Sequence, residues 1–170
     1  MPNIPSFDRP AGRAGELVQL LGLQPHPEGG YFREVFRSTA TVAPDDARPV
    51  RRALTTIDFL LAAGQFSAWH RVDSDEVWHL LEGSRLRLWL MPPSLDRVTA
   101  VDLDTASVVT VPRHVVERGW WQAAEPCGEF CYTAATVGPG FEFADFAFMR
   151  EQADARDALQ RLQPDLTRLL

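Results

Sequence analysis

Two polar side chains near the middle of the sequence, His70 and Glu76, have a spacing that could support proton transfer. They flank a polar turn at 73–75, and we interpret 66–72 and 76–81 as two strands that this turn joins in a hairpin. Side chains alternate between the faces of a strand, so an inward His70 would meet an inward Glu76 across an apolar space. A carboxylate beside an imidazole favours the imidazolium and fixes its tautomer, which suits general acid–base chemistry.

The remainder of the sequence predicts the scaffold that must hold these two groups. Strand-like runs recur at close spacing between clusters of glycine, proline and aspartate: 31–38, 53–61, 66–72, 76–81, 85–91, 98–102, 107–111, 119–123, 130–137 and 141–149. Many short strands with regular turns are typical of a sandwich or a barrel, so we expect an all-β fold. Helical spacing of apolar residues occurs at 14–21 and again at 151–170, and we expect the second segment to cover one face of the barrel.

Size and composition fit one domain that acts on a small partner. With 170 residues, 45% of them hydrophobic, the chain can bury one core, and we expect a single domain over 1–170 with a loose tail at 1–12. A net charge of −6 and a pI near 5.2 argue against nucleic acid as partner. No apolar run of membrane-spanning length and no secretion signal is present, so we expect a cytoplasmic protein with no membrane partner, in which both cysteines are free thiols.

The residues around His70 carry a resemblance to a known superfamily. Gly64, His70, Glu76 and Gly83 have the spacing of the first motif of the cupins, and Val72 stands where that motif has a second histidine. The resemblance implies a double-stranded antiparallel β-helix, the cupin jelly-roll barrel, with short N- and C-terminal helices. It also implies that a small molecule binds inside the barrel.

The segment 117–122 resembles the second cupin motif, with Glu117 in place of the usual proline and Gln122 in place of the usual histidine. Cupin metal sites commonly use three histidines and one carboxylate. The resemblance therefore offers His70, Glu76 and Gln122 as ligands. A carboxamide is a weak ligand for a transition metal, so we expect a loosely bound divalent ion at most.

Longer signatures, spread over nearly the whole chain, resemble one family in particular, the fifth cupin domain family, long labelled a domain of unknown function. The segments that carry this resemblance are 25–34, 67–72, 75–79, 119–124 and 138–146. The resemblance implies a fold and a homodimer. It implies no chemistry, because one fold can serve many functions.

A more distant resemblance, to the nucleotide-sugar 3,5-epimerases, rests on the segment 30–36. Those cupins use a barrel histidine as base and a tyrosine as acid, and the matching segment helps to bind the nucleotide. The resemblance implies that His70 is the base, that Tyr132 is the acid and that Arg33 contacts the ligand. Glu76 would then orient His70 or serve as the partner acid.

Aromatic residues complete the predicted ligand-contacting set. Trp78 and Trp120 are equally consistent with core packing and with a flat wall for a ligand ring. We group them with Phe66, Gln122 and Arg33. The arginines of the N-terminal half are either members of weak surface ion pairs or an anion-binding rim: Arg33, Arg37, Arg51, Arg52 and Arg71.

Three functions remain open on these observations. The first is binding without turnover, as a sensor or carrier of a small, partly apolar molecule that is either neutral or anionic. The second is a metal-independent epimerase or isomerase of a sugar-like or carbonyl compound. The third is a metal-dependent dioxygenase or isomerase that uses His70, Glu76 and Gln122.

Overall fold

Two antiparallel sheets, packed face to face, form the body of the protein in the computed structural model, which describes residues 10–170. The six-stranded sheet has the spatial order β1 (Gln24–Pro25), β2 (Tyr31–Arg37), β5 (Thr55–Ala62), β12 (Phe130–Gly138), β7 (Asp75–Gly83) and β10 (Arg113–Val116). The five-stranded sheet has the order β13 (Phe146–Phe148), β6 (Ser67–Val72), β11 (Trp121–Pro126), β8 (Leu86–Met91) and β9 (Thr99–Leu103). A short ribbon pairs β3 (Thr41–Val42) with β4 (Arg51–Arg52).

Alternating burial places the core between the sheets. On β8, Leu86, Leu88 and Leu90 are buried, whereas Arg87 and Trp89 between them are half-buried on the other face. The buried leucines meet Phe59 of β5 and other inward side chains of the six-stranded sheet in one apolar cluster. The predicted all-β fold with alternating strand faces is confirmed.

A helix covers the outer face of each sheet. Helix α1 (Gly12–Leu21) packs Leu17 and Val18 against Leu60 of the six-stranded sheet, and ends at Gly22, whose φ of 63° suits glycine. Helix α2 (Ala153–Leu162) packs on the outer side of the five-stranded sheet. Short 3₁₀ turns lie at Phe143–Asp145, Met149–Glu151 and Pro164–Leu169. Among residues 10–170, no helix is both long and apolar enough to cross a membrane.

Three local predictions differ from the structure. Residues 107–111, predicted as a strand, form a tight turn in which the Ser107 Oγ accepts from the Thr110 backbone N–H, and the strand is instead β10, just beyond it. Of the predicted strand 141–149, the segment Phe146–Phe148 forms a paired strand, because the 3₁₀ turn at Phe143–Asp145 interrupts the rest. Of the predicted tail, residues 1–9 lie outside the described residues, and Gly12 already belongs to α1.

The predicted hairpin of β6 and β7 is also wrong. Residues 73–74 carry the chain from one sheet to the other, so β6 pairs with β11 and β13, and β7 pairs with β12 and β10. His70 and Glu76 therefore project from opposite sheets into the interior. Gln122 of β11 lies directly opposite His70 on the neighbouring strand.

Candidate functional site

A cavity of about 140 Å³ opens between the two sheets at the end of the core. Most of its wall is aromatic or aliphatic and includes Phe32, Ile57, Phe59, Val72, Trp78 and Ala135. Glu76, His26 and Glu28 interrupt this apolar wall. An apolar hollow with a few convergent polar groups is the usual form of a small-molecule site.

A chain of hydrogen bonds fixes Glu76 at the wall of the cavity. Trp78 Nε1–H donates to Gln122 Oε1 at 2.9 Å, and Gln122 Nε2 donates to Glu76 Oε2 at 2.6 Å. An indole nitrogen can only donate, so the carboxamide oxygen must face Trp78 and its amino group must face Glu76. All three side chains are buried, and the strand alternation of β7 and β11 aims them inward.

The Glu76 carboxyl is set to change its charge near neutral pH. Burial raises its pKa to about 7, because the anion loses its hydration. The charge of His70 opposes this shift, the like charge of Glu28 adds to it, and the hydrogen bond from Gln122 opposes it. A carboxyl with a pKa near the working pH can both take and return a proton.

His70 is buried and oriented by its own strand. Its Nδ1 lies 2.7 Å from the Ala68 carbonyl oxygen, which can only accept, so Nδ1 carries the proton. Its ring stacks on Phe146, with 5.4 Å between the centroids. Glu28 Oε2 lies 3.5 Å from the same nitrogen. The other ring nitrogen, Nε2, is left to accept a proton or a hydrogen bond.

Sequence reasoning missed two residues of this site, His26 and Glu28, which enter from the turn between β1 and β2. Ser67 Oγ donates to Glu28 Oε2 at 2.8 Å, and the Glu28 backbone N–H donates to His26 Nδ1 at 3.2 Å. Burial lowers the pKa of His26, so the imidazole is neutral at pH 7. The turn reaches this depth because Gly29, with φ of 115°, lies against the Phe66 carbonyl where a Cβ would not fit. The available signal was the sequence His26-Pro27-Glu28, which directly precedes the pair Gly29-Gly30.

An ion-pair cluster forms the mouth of the cavity. Arg37 donates to Glu34 Oε2 at 2.8 Å and to Glu142 Oε1 at 3.0 Å, and it also donates to the Phe141 carbonyl oxygen. Phe143 is 66% exposed beside this cluster. The cluster separates the apolar interior from water.

Two of the predicted site residues, Tyr132 and Arg33, lie on the outer face of the six-stranded sheet. Tyr132 Oη donates to Asp58 Oδ1 at 2.9 Å, and the Arg33 guanidinium lies 3.6 Å from the same carboxylate. Burial, together with the hydrogen bond to Asp58, raises the pKa of Tyr132 to about 12. The structure does not bring either residue to His70, since inward positions on β12 belong to residues such as Ala135.

Trp120 and Phe66 also lie away from the cavity wall. Trp120 lines a separate shallow groove with His114, and Arg97 lies 5.8 Å from the centre of its ring. Phe66 packs toward the cluster beneath helix α2. Of the predicted ligand-contacting set, the structure brings Trp78 and Gln122 together with Glu76.

Comparison with known proteins fits this architecture. The family model described as "Cupin superfamily (DUF985)" matches residues 15–149. The chain belongs to this cupin family. A solved structure of protein SO0799 from Shewanella oneidensis is 26% identical, with a TM-score of 0.78, over 94% of this chain and 98% of that one. A hypothetical protein from Leishmania major is also 26% identical, with a TM-score of 0.75, over 91% and 94% of the two chains.

More distant cupins share the fold alone. Oxalate decarboxylase from Bacillus subtilis is 12% identical, with a TM-score of 0.54, over 86% of this chain and 36% of that one. Among curated proteins, none matches the sequence. The comparisons therefore establish the cupin fold and family, and no specific role.

The residues at the usual cupin metal position do not fit a metal ion in this cupin. Within residues 10–170, no three His, Cys, Asp or Glu side chains are grouped as metal ligands. The Gln122 oxygen accepts from Trp78, and its amino group faces Glu76. Val72 supplies an apolar wall where the motif has a second histidine. His70 and Glu76 are two ligands without a third.

Proposed function

We propose that this cupin binds a small molecule in the cavity between its sheets. The observation that carries the proposal is the apolar cavity of about 140 Å³, with Glu76 held at its wall by Gln122 and Trp78. An apolar protein cavity of about 150 Å³ admits a molecule such as benzene. The occupant is therefore a compound with an apolar body of about one six-membered ring.

Filling the cavity tests this proposal. Ala135 lines the cavity on β12, so Ala135→Leu should occupy part of the space that the ligand needs. We expect ligand-observed NMR to detect benzyl alcohol binding to the native protein, and to detect at least about tenfold weaker binding to the variant. The matched control is Ala134→Leu, because Ala134 is the next residue on the same strand and faces the opposite side of the sheet. Equal binding to all three proteins would contradict the proposal.

A second candidate function is proton transfer, and the pKa of about 7 for Glu76 favours it. In an isomerase or epimerase, the ionised Glu76 would take a proton from the carbon next to a carbonyl. The resulting acid would return a proton to the same intermediate, so that no other reactant is consumed. Nε2 of His70, whose Nδ1 faces the Ala68 carbonyl oxygen, would serve as a second proton acceptor, the role predicted for His70 from sequence.

Solvent exchange tests this second candidate. In deuterium oxide, the protons next to the carbonyl of cyclohexanone, an uncharged ketone of one-ring size, should be replaced by deuterium faster in the presence of the protein. Glu76→Gln should abolish the exchange without preventing ligand binding, because a carboxamide cannot take the proton. Exchange that survives in this variant would remove Glu76 from the reaction.

We further propose a homodimer, from the family resemblance, in the cytoplasmic compartment that we expect from the sequence. Exposed apolar side chains, among them Phe36 on β2 at 51% and Val50 directly before β4 at 60%, support the presence of a covered surface. Light scattering coupled to size exclusion should give a mass near twice 19.0 kDa. A monomeric mass at micromolar protein would count against it.

A further inference from the structure

The charged side chains around the cavity are unbalanced. Four glutamates line the cavity and its mouth: Glu28, Glu34, Glu76 and Glu142. Arg37 is the one arginine or lysine among the described lining residues, and its guanidinium already pairs with Glu34 and Glu142 at the mouth. The two inner carboxylates, of Glu28 and Glu76, have no such partner.

The histidines do not restore the balance. His26 Nδ1 lies 3.9 Å from Glu28 Oε1 and accepts from the Glu28 backbone N–H, so the imidazole is held as a neutral ring. A protonated His70 would offset only one of the two inner carboxylates. An anion entering this cavity would meet net negative charge in a poorly hydrated space, where such repulsion is strong.

Both inner carboxylates keep an oxygen for a donor. Glu76 Oε2 accepts from Gln122, and Glu28 Oε2 accepts from Ser67. Among the contacts of residues 10–170, Oε1 of Glu76 accepts no hydrogen bond, and Oε1 of Glu28 lies 3.9 Å from His26 Nδ1, beyond hydrogen-bond distance. Two unused carboxylate oxygens in one cavity are an acceptor set for an N–H cation.

The apolar wall suits the rest of such a molecule. Phe32, Phe59 and Trp78 present aromatic rings to the same cavity, with Phe59 and Trp78 in edge-to-face contact at 5.7 Å. Aromatic rings attract cations through the negative charge of their faces, and they also cover hydrocarbon. Carboxylates and aromatic rings together favour a cation with a hydrocarbon body.

We propose that the cavity selects a protonated primary amine on a hydrocarbon body of about one ring, over neutral and anionic molecules of the same shape. The ammonium group donates to the free oxygens of Glu76 and Glu28, and the hydrocarbon packs on Phe32, Ile57 and Phe59. This selectivity rests on the proposed binding function and names the chemical class of the ligand. A preference for cations is the opposite of the anion binding that the arginines of the sequence suggest. Two of those arginines, Arg37 and Arg51, already form ion pairs with carboxylates.

Three probes of one shape and different charge test the selectivity: benzylamine, benzyl alcohol and benzoate. Binding of each to the full-length protein is measured by calorimetry and NMR at pH 8, where benzylamine is protonated and Glu76 is ionised. We expect benzylamine to bind at least about tenfold more tightly than benzyl alcohol, since charge-assisted hydrogen bonds are about twice as strong as neutral ones. Benzoate should bind most weakly.

Two isosteric variants locate the source of the preference. Glu76→Gln and Glu28→Gln should each reduce the affinity for benzylamine at least about fivefold and leave that for benzyl alcohol within about twofold. The matched control is Glu129→Gln, which removes the same charge from an exposed position outside the cavity and should change neither affinity. Retained binding of benzyl alcohol shows that a variant is folded.

The outcomes separate this inference from the function on which it rests. If benzyl alcohol or benzoate binds as tightly as benzylamine and Ala135→Leu weakens that binding, the cavity is a binding site and the cation preference is overturned. A benzylamine preference that both glutamate variants retain also overturns it. If none of the three probes binds, the binding function itself fails.

Discussion

Two buried carboxyl groups, Asp145 in the turn before β13 and Glu76 on β7, have opposite environments. Asp145 accepts two hydrogen bonds of 2.8 Å from Arg51 and a further one from Arg48, and its pKa is lowered by these cations. Glu76 is about as buried, at 7% against 4%, yet it accepts from the neutral Gln122, and its pKa is raised to about 7. The same chemical group is held as an anion beside arginine and has a pKa near neutrality beside a carboxamide.

The position of each carboxyl explains the difference. Asp145 joins the 3₁₀ turn before β13 to Arg51 on β4 and to Arg48, which also donates to Ser74 in the turn between β6 and β7. Three segments distant in sequence meet there, at the edge of an open surface cleft that Arg48, Arg51 and Asp145 line. Glu76 instead borders the cavity, where an arginine would fill the space and satisfy the carboxylate permanently. A buried charge without a cation costs stability, so it indicates a role other than stability.

The largest effect is expected at Asp145. Asp145→Asn removes the anion and leaves Arg51 buried without its bidentate partner, so we expect the free energy of unfolding to fall by about 3–5 kcal/mol. Urea denaturation at pH 7 measures this. Asp96→Asn is the control, because Asp96 pairs with Arg97 on the surface, where such pairs contribute about 0–1 kcal/mol. A loss as small as that of the control would refute the anchoring role.

Glu76→Gln is expected to raise the free energy of unfolding at neutral pH, whereas Asp145→Asn lowers it. The folded-state pKa of about 7 lies above the ordinary value of 4.5, so the folded protein binds the proton more tightly than the unfolded chain. Stability contributed by the protonated form is complete below pH 4.5 and is lost as pH rises to about 7. The stability of the variant lacks this dependence on pH, and the carboxamide oxygen at position 76 can still accept a hydrogen bond from Gln122. It should be more stable than the native protein by about 3 kcal/mol above pH 7.

Unfolding free energies of both proteins, measured from pH 4.5 to pH 8, test this directly. The difference between them should grow across that window and then level off. A constant difference would mean that Glu76 titrates alike in the folded and unfolded chains.

A smaller effect on stability is expected for Gln122→Met. The methionine side chain has a volume similar to that of glutamine, so the substitution removes hydrogen bonds without changing the packing much. Trp78 Nε1–H then loses its acceptor in the core, and an unsatisfied buried donor costs about 1–3 kcal/mol. Glu76 loses its hydrogen-bond donor, so its pKa should rise further above 7. Carbon-13 NMR of the Glu76 carboxyl reports the second change separately from stability. An unchanged titration would show that the carboxamide does not set the charge of Glu76.

The sequence predicts the interior of this site better than its rim. Strand alternation places Glu76 and Trp78 inward on β7, as the structure shows, because a one-face-buried strand leaves no other register. The same alternation, applied to β12, would have put Tyr132 outward. His26 and Glu28 could not be placed this way, since they come from a turn some forty residues upstream and reach His70 only through the tertiary fold.

Pairing partners, which the sequence does not display, account for the errors in the strands. Val108 and Val109 are good strand formers, yet they are exposed in a turn, whereas Arg113–Val116 pairs with β7. A strand forms where a neighbour offers hydrogen bonds, and β-propensity is a weaker influence. The pairing of β6 with β11 also decides that Gln122 lies beside His70.

The smallest effect on the free energy of unfolding is expected at Arg37, because burial outweighs the number of hydrogen bonds. Arg37 donates to Glu34, Glu142 and the Phe141 carbonyl, more partners than Arg51 has, but its side chain is 34% exposed against 9% for Arg51. Water can replace partners at an exposed position, so Arg37→Met should lower the free energy of unfolding by less than about 1 kcal/mol. Arg51→Met should cost several times more, since Asp145 would remain buried and only partly paired. Urea denaturation of the two variants side by side gives the ratio, and similar losses would mean that the mouth cluster is as structural as the anchor at Asp145.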